Sequence, residues 1–134
     1  MEDGRSSTLK AFAGKAVILD FWATYCPPCR EEIPHLNELQ AKYGPDKLQI
    51  IGLNVGGSED RPKIADFIAK NKMDYPLGFP DADLEGYIFS ETDAIPQTAV
   101  FDRSGKLVTK IVGFNEAAKR ALNDAVETAL GSGG

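Results

Sequence analysis

The sequence of 134 residues predicts an α/β fold in which a central mixed β-sheet carries helices on both faces. Two predominantly apolar runs, residues 16–22 and 48–55, are typical of strands buried on both faces. Each run is followed by a stretch with helical spacing of its apolar residues, and the chain closes with a hairpin pattern and a further helix. Strands that alternate with helices favour a sheet covered on both sides, and the hairpin makes that sheet mixed.

The first strand and the first helix meet at the segment ATYCPPCREE, residues 23–32. The strand is apolar except for Asp20, which is an unexpected residue in a buried run. The helix is predicted over 27–43, because Pro27 and Pro28 suit a first helical turn, where no amide donor is lost. Its predicted apolar stripe consists of Ile33, Leu36, Leu39 and Tyr43.

The remaining elements follow from turn and capping residues. Ser58 and Asp60 are candidate N-caps for a second helix, which carries Ile64, Phe67 and Ile68. The last helix has an apolar face formed by Ala118, Ala121, Leu122, Ala125, Val126 and Ala129. The other predicted elements are a short strand within 75–79, a helical turn and loop over 83–94, strands 98–102 and 107–113 around a tight turn, and that final helix over 116–130.

Composition narrows the classes of protein to consider. The chain is 43% hydrophobic and 26% charged, with a net charge of −5, and we expect one domain over 1–134, with an ordered core from about 7 to 130 and a flexible tail over 131–134. No cluster of Lys and Arg resembles a phosphate-binding face, so neither nucleic acid nor an anionic membrane is an expected partner. No apolar run could span a bilayer and no signal-peptide core is visible, which leaves a cytoplasmic protein or an exported one without its leader.

Cys26 and Cys29 are the only cysteines, and three roles for them were compared. A structural zinc site needs four ligands, and the only histidine, His35, lies nine residues after Cys26, where we expect a solvated helix face and no role. A disulfide that closes so short a loop stabilises a fold by only about 2 kcal/mol. A metal or a purely structural disulfide is therefore disfavoured, and a redox dithiol is favoured.

The position of the pair explains how such a dithiol would react. Cys26 lies where a buried strand ends and a helix begins, and there free amides and the helix dipole stabilise a thiolate. Cys26 is thus predicted to attack, and Cys29, one turn further, to resolve the mixed disulfide. Pro27 and Pro28 stiffen the link and remove amide donors, so they should tune the potential. No cofactor beyond the redox-active Cys26–Cys29 disulfide is expected.

Four neighbours are candidate site residues. Asp20 could relay a proton to or from Cys29, unless it reaches water at the end of its strand. Glu32, one turn after Cys29, could act likewise, or could simply be an acid in a first helical turn. Trp22 and Tyr25 flank the nucleophile and could dock a partner, although core packing is equally compatible with Trp22.

The segment VILDFWATYCPPCREEIPHLNELQAKYG strongly resembles the active site of the thioredoxin superfamily, in particular the TlpA/ResA/CcmG branch of thiol–disulfide oxidoreductases. The positions that match are Phe21, Trp22, Ala23, Cys26, Pro28, Cys29, Glu32 and Pro34. Asp20 matches the buried acid of thioredoxin itself. AIPQTAVFDRSGK, residues 94–106, resembles the second landmark of the superfamily, whose proline is cis and faces the cysteines. The resemblance therefore implies a cis Ile95–Pro96 bond, with both residues at the substrate site.

The resemblance implies a thioredoxin-like fold in a bacterial protein, periplasmic or membrane-anchored outside the cytoplasm, that reduces disulfides in protein substrates. It also implies an upstream dithiol donor, a monomer, and roles such as cytochrome c maturation or periplasmic thiol homeostasis. Tyr25 replaces the usual tryptophan, residues 86–94 suggest an insertion beside the active site, and residues 6–12 suggest a shortened N-terminal hairpin. A cytoplasmic general thioredoxin, a peroxide-reducing relative and a non-catalytic binding module are the alternatives.

Overall fold

The computed structural model describes residues 14–131. The strand predicted over 6–12 and residues 132–134 of the predicted tail lie outside the described residues. The elements are β1 Ala16–Trp22, α1 Pro27–Tyr43, β2 Leu48–Asn54, α2 Arg61–Asn71, β3 Leu77–Gly78, α3 Ala82–Ile88, β4 Gln97–Phe101, β5 Leu107–Val112 and α4 Glu116–Gly131. Each element that the sequence predicts in this range is present, with small shifts of its ends. Gly131 belongs to α4, which corrects its assignment to the tail.

The strands form one mixed sheet in the order β3-β2-β1-β4-β5. β1 lies at its centre, parallel to β2 and antiparallel to β4, while β3 extends the parallel half and β5 the antiparallel half. All residues of β1 and β2 are buried, as their predominantly apolar sequences predict. The predicted α/β class with a mixed sheet is confirmed.

Helices cover both faces of this sheet. Side chains of a strand alternate between faces, so Ile18, Asp20 and Trp22 share one face of β1. Buried residues of α1, α2 and α4 pack in the cluster that contains Ile18 and Trp22, whereas α3 packs against Leu19 and Phe21 on the opposite face. Asp20 therefore points toward the layer that holds α1.

The topology brings two separate loops to one edge of the sheet. β1 ends at Trp22, and the register pairs Phe21 with Gln97, the first residue of β4. Because β1 and β4 are antiparallel, the loop before α1 and the loop that ends at Pro96 meet at this edge. The two landmarks of the sequence are far apart in the chain, and this pairing brings them together.

Two predictions about helix faces are wrong. His35 is buried, and its Nε2 lies 2.8 Å from Oδ1 of Asn123, because α4 packs along α1 and covers the predicted solvated face. Ala121 is exposed, since the buried residues of α4 follow a stripe that passes beside it.

Candidate active site

Cys26 and Cys29 form a disulfide at the N-terminus of α1. Cys26 is the N-cap residue, with an extended backbone, and its Sγ accepts a hydrogen bond from the amide of Cys29 at 3.2 Å. Pro27 and Pro28 fill the first two helical positions. The sulfur of Cys26 thus occupies the place of a capping oxygen, where amide donors and the helix dipole stabilise negative charge.

Both cysteines are buried in this disulfide form. Cys26 is 6% exposed and Cys29 is 1% exposed. Cys29 is more deeply buried than Cys26, as the predicted attack by Cys26 and resolution by Cys29 require. The exposed fraction of Cys26 is nevertheless small. Reaction with a protein substrate therefore requires close docking of the surface around Cys26.

A pair of buried carboxyl groups lies on the same side of the sheet as α1. Asp20 is opposite Thr98 in the register of β1 and β4, and the hydroxyl of Thr98 donates to Oε2 of Glu32 at 2.8 Å. Neither oxygen of Asp20 has a hydrogen-bond partner among the described residues, nor has Oε1 of Glu32. Glu32 follows Cys29 by one helical turn, so the two side chains project from the same face of α1.

Burial controls the protonation of this pair. It raises the pKa of Asp20 well above its usual value, and the neighbouring Glu32 carboxyl raises it further. Burial also raises the pKa of Glu32 to about 7, although the hydrogen bond from Thr98 opposes this shift. Near neutral pH Glu32 therefore gains or loses a proton, while burial favours the protonated form of Asp20 beside it. Such a pair can both accept and donate a proton.

Sequence reasoning missed Tyr75, which lies close to this pair. Its hydroxyl is buried and has no hydrogen-bond partner within residues 14–131, and its pKa is raised by burial and by the charges of Asp20 and Glu32. Gly52 leaves room for its ring, because a Cβ at that position would lie 3.2 Å from the ring. Tyr75 lies in a short apolar segment that carries no motif, so no signal in the sequence identified it.

Trp22 does not form part of the surface predicted to dock a partner. It is 1% exposed and stacks on Phe67, with ring centroids 5.0 Å apart. α2 covers this face of the sheet and encloses the indole, which corrects the predicted substrate contact. Trp22 is a core residue beneath the active-site loop.

Tyr25, in contrast, which directly precedes Cys26, is 66% exposed and lines a groove of about 390 Å³. Ile95 lines the same groove, and the peptide bond between Ile95 and Pro96 is cis. The groove residues are Tyr25, Val55, Glu85, Phe89, Asp93, Ala94 and Ile95. Phe89, Asp93 and Ala94 belong to the segment 86–94, so this segment shares the groove with Tyr25 and Ile95.

The described residues contain neither a metal site nor a membrane-spanning helix. Within 14–131 no group of three or more His, Cys, Asp or Glu side chains could hold a metal ion. In the same range no helix has the length and apolar character needed to cross a bilayer.

A disulfide that caps a helix after the central strand, with a cis-proline loop at the same edge of the sheet, defines a thiol–disulfide protein of the thioredoxin type. The Redoxin family model matches residues 1–127. The chain belongs to this family, in the ResA- and CcmG-like branch of thiol–disulfide oxidoreductases within the thioredoxin superfamily. The predicted family is thereby confirmed.

Three similar proteins illustrate the relationship. The chain is 36% identical over 114 residues to a thiol-disulfide oxidoreductase ResA of Bacillus cereus, covering 83% of this chain and 62% of the relative. It is 33% identical over 124 residues to ResA of Bacillus thuringiensis subsp. konkukian, covering 91% of this chain and 68% of the relative. A crystal structure from Chlorobium tepidum, assigned as thiol:disulfide interchange protein DsbE, superposes with a TM-score of 0.79 at 31% identity, covering 92% of this chain and 85% of that one. The chain thus spans roughly two thirds of the length of these ResA relatives, 62% and 68%.

Proposed function

We propose that this chain reduces disulfides in protein substrates by dithiol exchange through Cys26 and Cys29. The observation that carries the proposal is the position of the disulfide, which caps α1 one helical turn before the buried carboxyl of Glu32, itself paired with Asp20. The helix terminus activates Cys26, and the carboxyl pair supports proton transfer at Cys29. No cofactor other than the cysteine pair is needed for this chemistry.

The reaction proceeds in two exchanges that together transfer two electrons. The thiolate of Cys26 first attacks one sulfur of the substrate disulfide, forms a mixed disulfide and releases the other substrate sulfur, which takes up a proton. Cys29 then loses its proton and attacks the Sγ of Cys26. The second substrate sulfur leaves and is protonated, so the substrate gains two thiols and Cys26–Cys29 becomes a disulfide.

The carboxyl pair serves the second exchange. Cys29 is nearly inaccessible to solvent, so its proton needs an acceptor within the protein. Glu32, with a pKa raised to about 7 by burial, is ionised in part of the molecules near neutral pH and is the proposed acceptor. Asp20, whose pKa burial raises well above its usual value, supplies a second protonation site beside it.

The same carboxyl groups favour reduction over oxidation of substrates. Dithiols of this type range from about −270 mV in thioredoxin to about −120 mV in DsbA, whose reduced form is stabilised. Negative charge near Cys29 destabilises thiolates, and therefore favours the disulfide form of this chain. A dithiol whose disulfide form is favoured transfers its two electrons readily to a substrate disulfide. This supports the proposed role as a reductant.

The groove beside Tyr25 is the proposed substrate site. Tyr25 precedes the nucleophile, and Ile95 precedes the cis-proline, so a peptide in the groove would pass next to Cys26. Pro27, which is exposed, and Pro28, which is half-buried, border the sulfur on the other side. Pro96 is buried and supports the loop beneath the substrate.

We place the full-length protein outside the cytoplasm, as a monomer in the periplasm or anchored to the membrane, with an upstream dithiol that restores the reduced form. Disulfides persist in such oxidising compartments, where a reductant has substrates. The family resemblance supports this location and a task in cytochrome c maturation or periplasmic thiol homeostasis. Asp20, which matches the acid of thioredoxin, favours a second candidate, a general thioredoxin of the cytoplasm. Electron transfer from a thioredoxin reductase to the Cys26–Cys29 disulfide would favour the general cytoplasmic thioredoxin over the extracytoplasmic reductant.

Trapping the intermediate tests the proposed function. A Cys29→Ser variant should accumulate a mixed disulfide between Cys26 and a protein substrate such as insulin, because no second thiol is left to release it. Mass spectrometry identifies the linked cysteine. Cys26→Ser is the control and should trap nothing. If the Cys29→Ser variant forms no adduct with any protein disulfide, the proposed function is wrong.

Tyr25→Ala should weaken docking of protein substrates and leave the sulfur chemistry intact. We expect the KM for insulin reduction to rise about tenfold, since the ring is a large exposed apolar contact beside the nucleophile. Reduction of a small aromatic disulfide should change less than about twofold. Phe79→Ala, which removes another exposed aromatic residue that does not line the groove, is the matched control. Equal losses on the small and the protein disulfide would contradict a docking role.

A further inference from the structure

Asp60 holds the loop that leads to Cys26. Its carboxylate accepts hydrogen bonds from the amide of Thr24 at 3.0 Å and from Nδ2 of Asn54 at 2.9 Å, both at Oδ2. The hydroxyl of Thr24 donates to the other oxygen, Oδ1. Three segments are thereby joined: the loop after β1, the end of β2 and the start of α2.

The position of Asp60 in the chain would suggest a simpler role. It is the N-cap residue of α2, as the sequence predicts, but its backbone is helical and its side chain makes no capping hydrogen bond. Asp81, the N-cap of α3, is extended and accepts from the amide of Leu84 at 2.9 Å, as capping residues usually do. The carboxylate of Asp60 is directed away from its own helix toward Thr24 and Asn54.

The surroundings of Asp60 are shaped to hold this carboxylate. A Cβ at Gly56 would lie 2.5 Å from Oδ2 of Asp60, so only glycine leaves the space for it. The amide of Gly56 in turn donates to Oδ1 of Asn54 at 3.0 Å, which orients the Asn54 amide group toward Asp60. Burial by itself would raise the pKa of Asp60, but the hydrogen bonds from Asn54 and Thr24 outweigh it and hold the pKa below its usual value. The group is therefore an anion at neutral pH.

We infer that Asp60 is a positioning residue for the reacting sulfur, acting through Thr24. Thr24 precedes Cys26 by two residues, and the amide of Cys26 closes a turn onto the carbonyl of Ala23 at 3.4 Å. Fixing both polar groups of Thr24 fixes this turn, and with it the direction of the Cys26 sulfur at the helix terminus. Tyr25, between them, takes its exposed position in the groove from the same restraint. The inference rests on the proposed role of Cys26 as the attacking thiol, and it is independent of the substrate.

The test uses the fully reduced protein and iodoacetamide, which alkylates Cys26 without any protein substrate. Asp60→Ala should lower the alkylation rate at neutral pH about tenfold, because small displacements of a reacting group have large effects on rate. Thr24→Val, which replaces the hydroxyl by a methyl group, should lower it by about threefold, whereas Thr24→Ser, which keeps the hydroxyl, should retain most of the rate. Asp60→Asn should also retain most of the rate, because its oxygen can accept from the Thr24 amide and its NH2 group can donate to the Thr24 hydroxyl. The pH profile of alkylation separates a changed thiol pKa from a change in access.

Asp102 provides a matched control at the far end of the sheet. Its carboxylate also accepts three hydrogen bonds, from the amide and hydroxyl of Ser104 and the amide of Lys106. Asp102→Ala should destabilise the fold, as Asp60→Ala does, but leave the alkylation rate and its pH profile unchanged. The inference is overturned if Asp60→Ala and Thr24→Val react at the wild-type rate, or if Asp102→Ala slows the reaction equally. Failure to trap a mixed disulfide through Cys26 would overturn the proposed function instead, and the alkylation comparison would still decide the role of Asp60.

Discussion

Replacing Glu32 with glutamine should raise the free energy of unfolding at about pH 8 by about 3 kcal/mol and leave it nearly unchanged at about pH 4. The reason is burial, which raises the pKa of Glu32 in the folded protein from 4.5 to about 7. Glutamine has nearly the same shape, keeps an oxygen for the hydroxyl of Thr98 and is never ionised. The variant therefore avoids the cost of a buried negative charge.

The sign of the pH dependence follows from the proton balance. Below pH 4.5 the side chain is protonated in both states, and its ionisation costs nothing. Between pH 4.5 and about 7 the unfolded chain releases the proton while the folded chain keeps it, so the wild-type stability falls as the pH rises. Above about 7 both states are ionised and the difference stays constant. Asp20, whose pKa is also raised, adds a loss of the same sign that begins near the usual pKa of an aspartate.

Urea unfolding of the disulfide form at several pH values measures this difference. Glu31→Gln is the matched control, because Glu31 precedes Glu32 on the same helix and is exposed. Its effect should stay within about 0.5 kcal/mol at every pH, as for most surface substitutions. A Glu32→Gln protein that is no more stable than wild type at alkaline pH would show that Glu32 is not a buried, destabilised acid.

The parts of this site that were predictable are those with local signals. Asp20 stands out because it interrupts an apolar run, and Cys26 because a strand ends and a helix begins around it. The resemblance of residues 94–106 to a superfamily landmark identified Ile95 and Pro96. Each of these signals lies within one short segment, so it could be interpreted without knowing what the segment packs against.

The parts that were not predictable depend on contacts between distant segments. The hydroxyl of Thr98 donates a hydrogen bond to Glu32, 66 residues earlier in the chain. Only the register of β1 and β4, which pairs Asp20 with Thr98, shows that Asp20 lies beside both residues. The exposure of Trp22 and His35 was predicted wrongly, because it depends on the helices that cover these side chains. Periodicity identifies the apolar and polar faces of a helix, but it does not show which of those faces are covered by another element.

Asp20→Asn should slow the release of substrate from the mixed disulfide by about 100-fold at neutral pH, the usual size of an acid–base contribution. Asparagine preserves the shape of the side chain but cannot hold or pass a proton next to Glu32. The first exchange, attack by Cys26, should change little, because it depends on the helix terminus and not on the carboxyl pair. The effect is therefore expected in the second exchange alone.

Stopped-flow measurements of the reaction between each reduced variant and an excess of a protein disulfide separate the two exchanges, because the mixed disulfide forms in a phase that depends on substrate concentration and decays in one that does not. In the wild type the release rate should rise with pH through about 7, since Glu32 must be ionised to accept the proton of Cys29. Glu32→Gln should lose this inflection, and Asp20→Asn should keep an inflection at a lower rate. A release rate for Asp20→Asn within about twofold of wild type across the pH range would remove Asp20 from the mechanism. The buried carboxyl would then be a destabilising residue without a part in exchange, and Glu32 alone would have to serve Cys29.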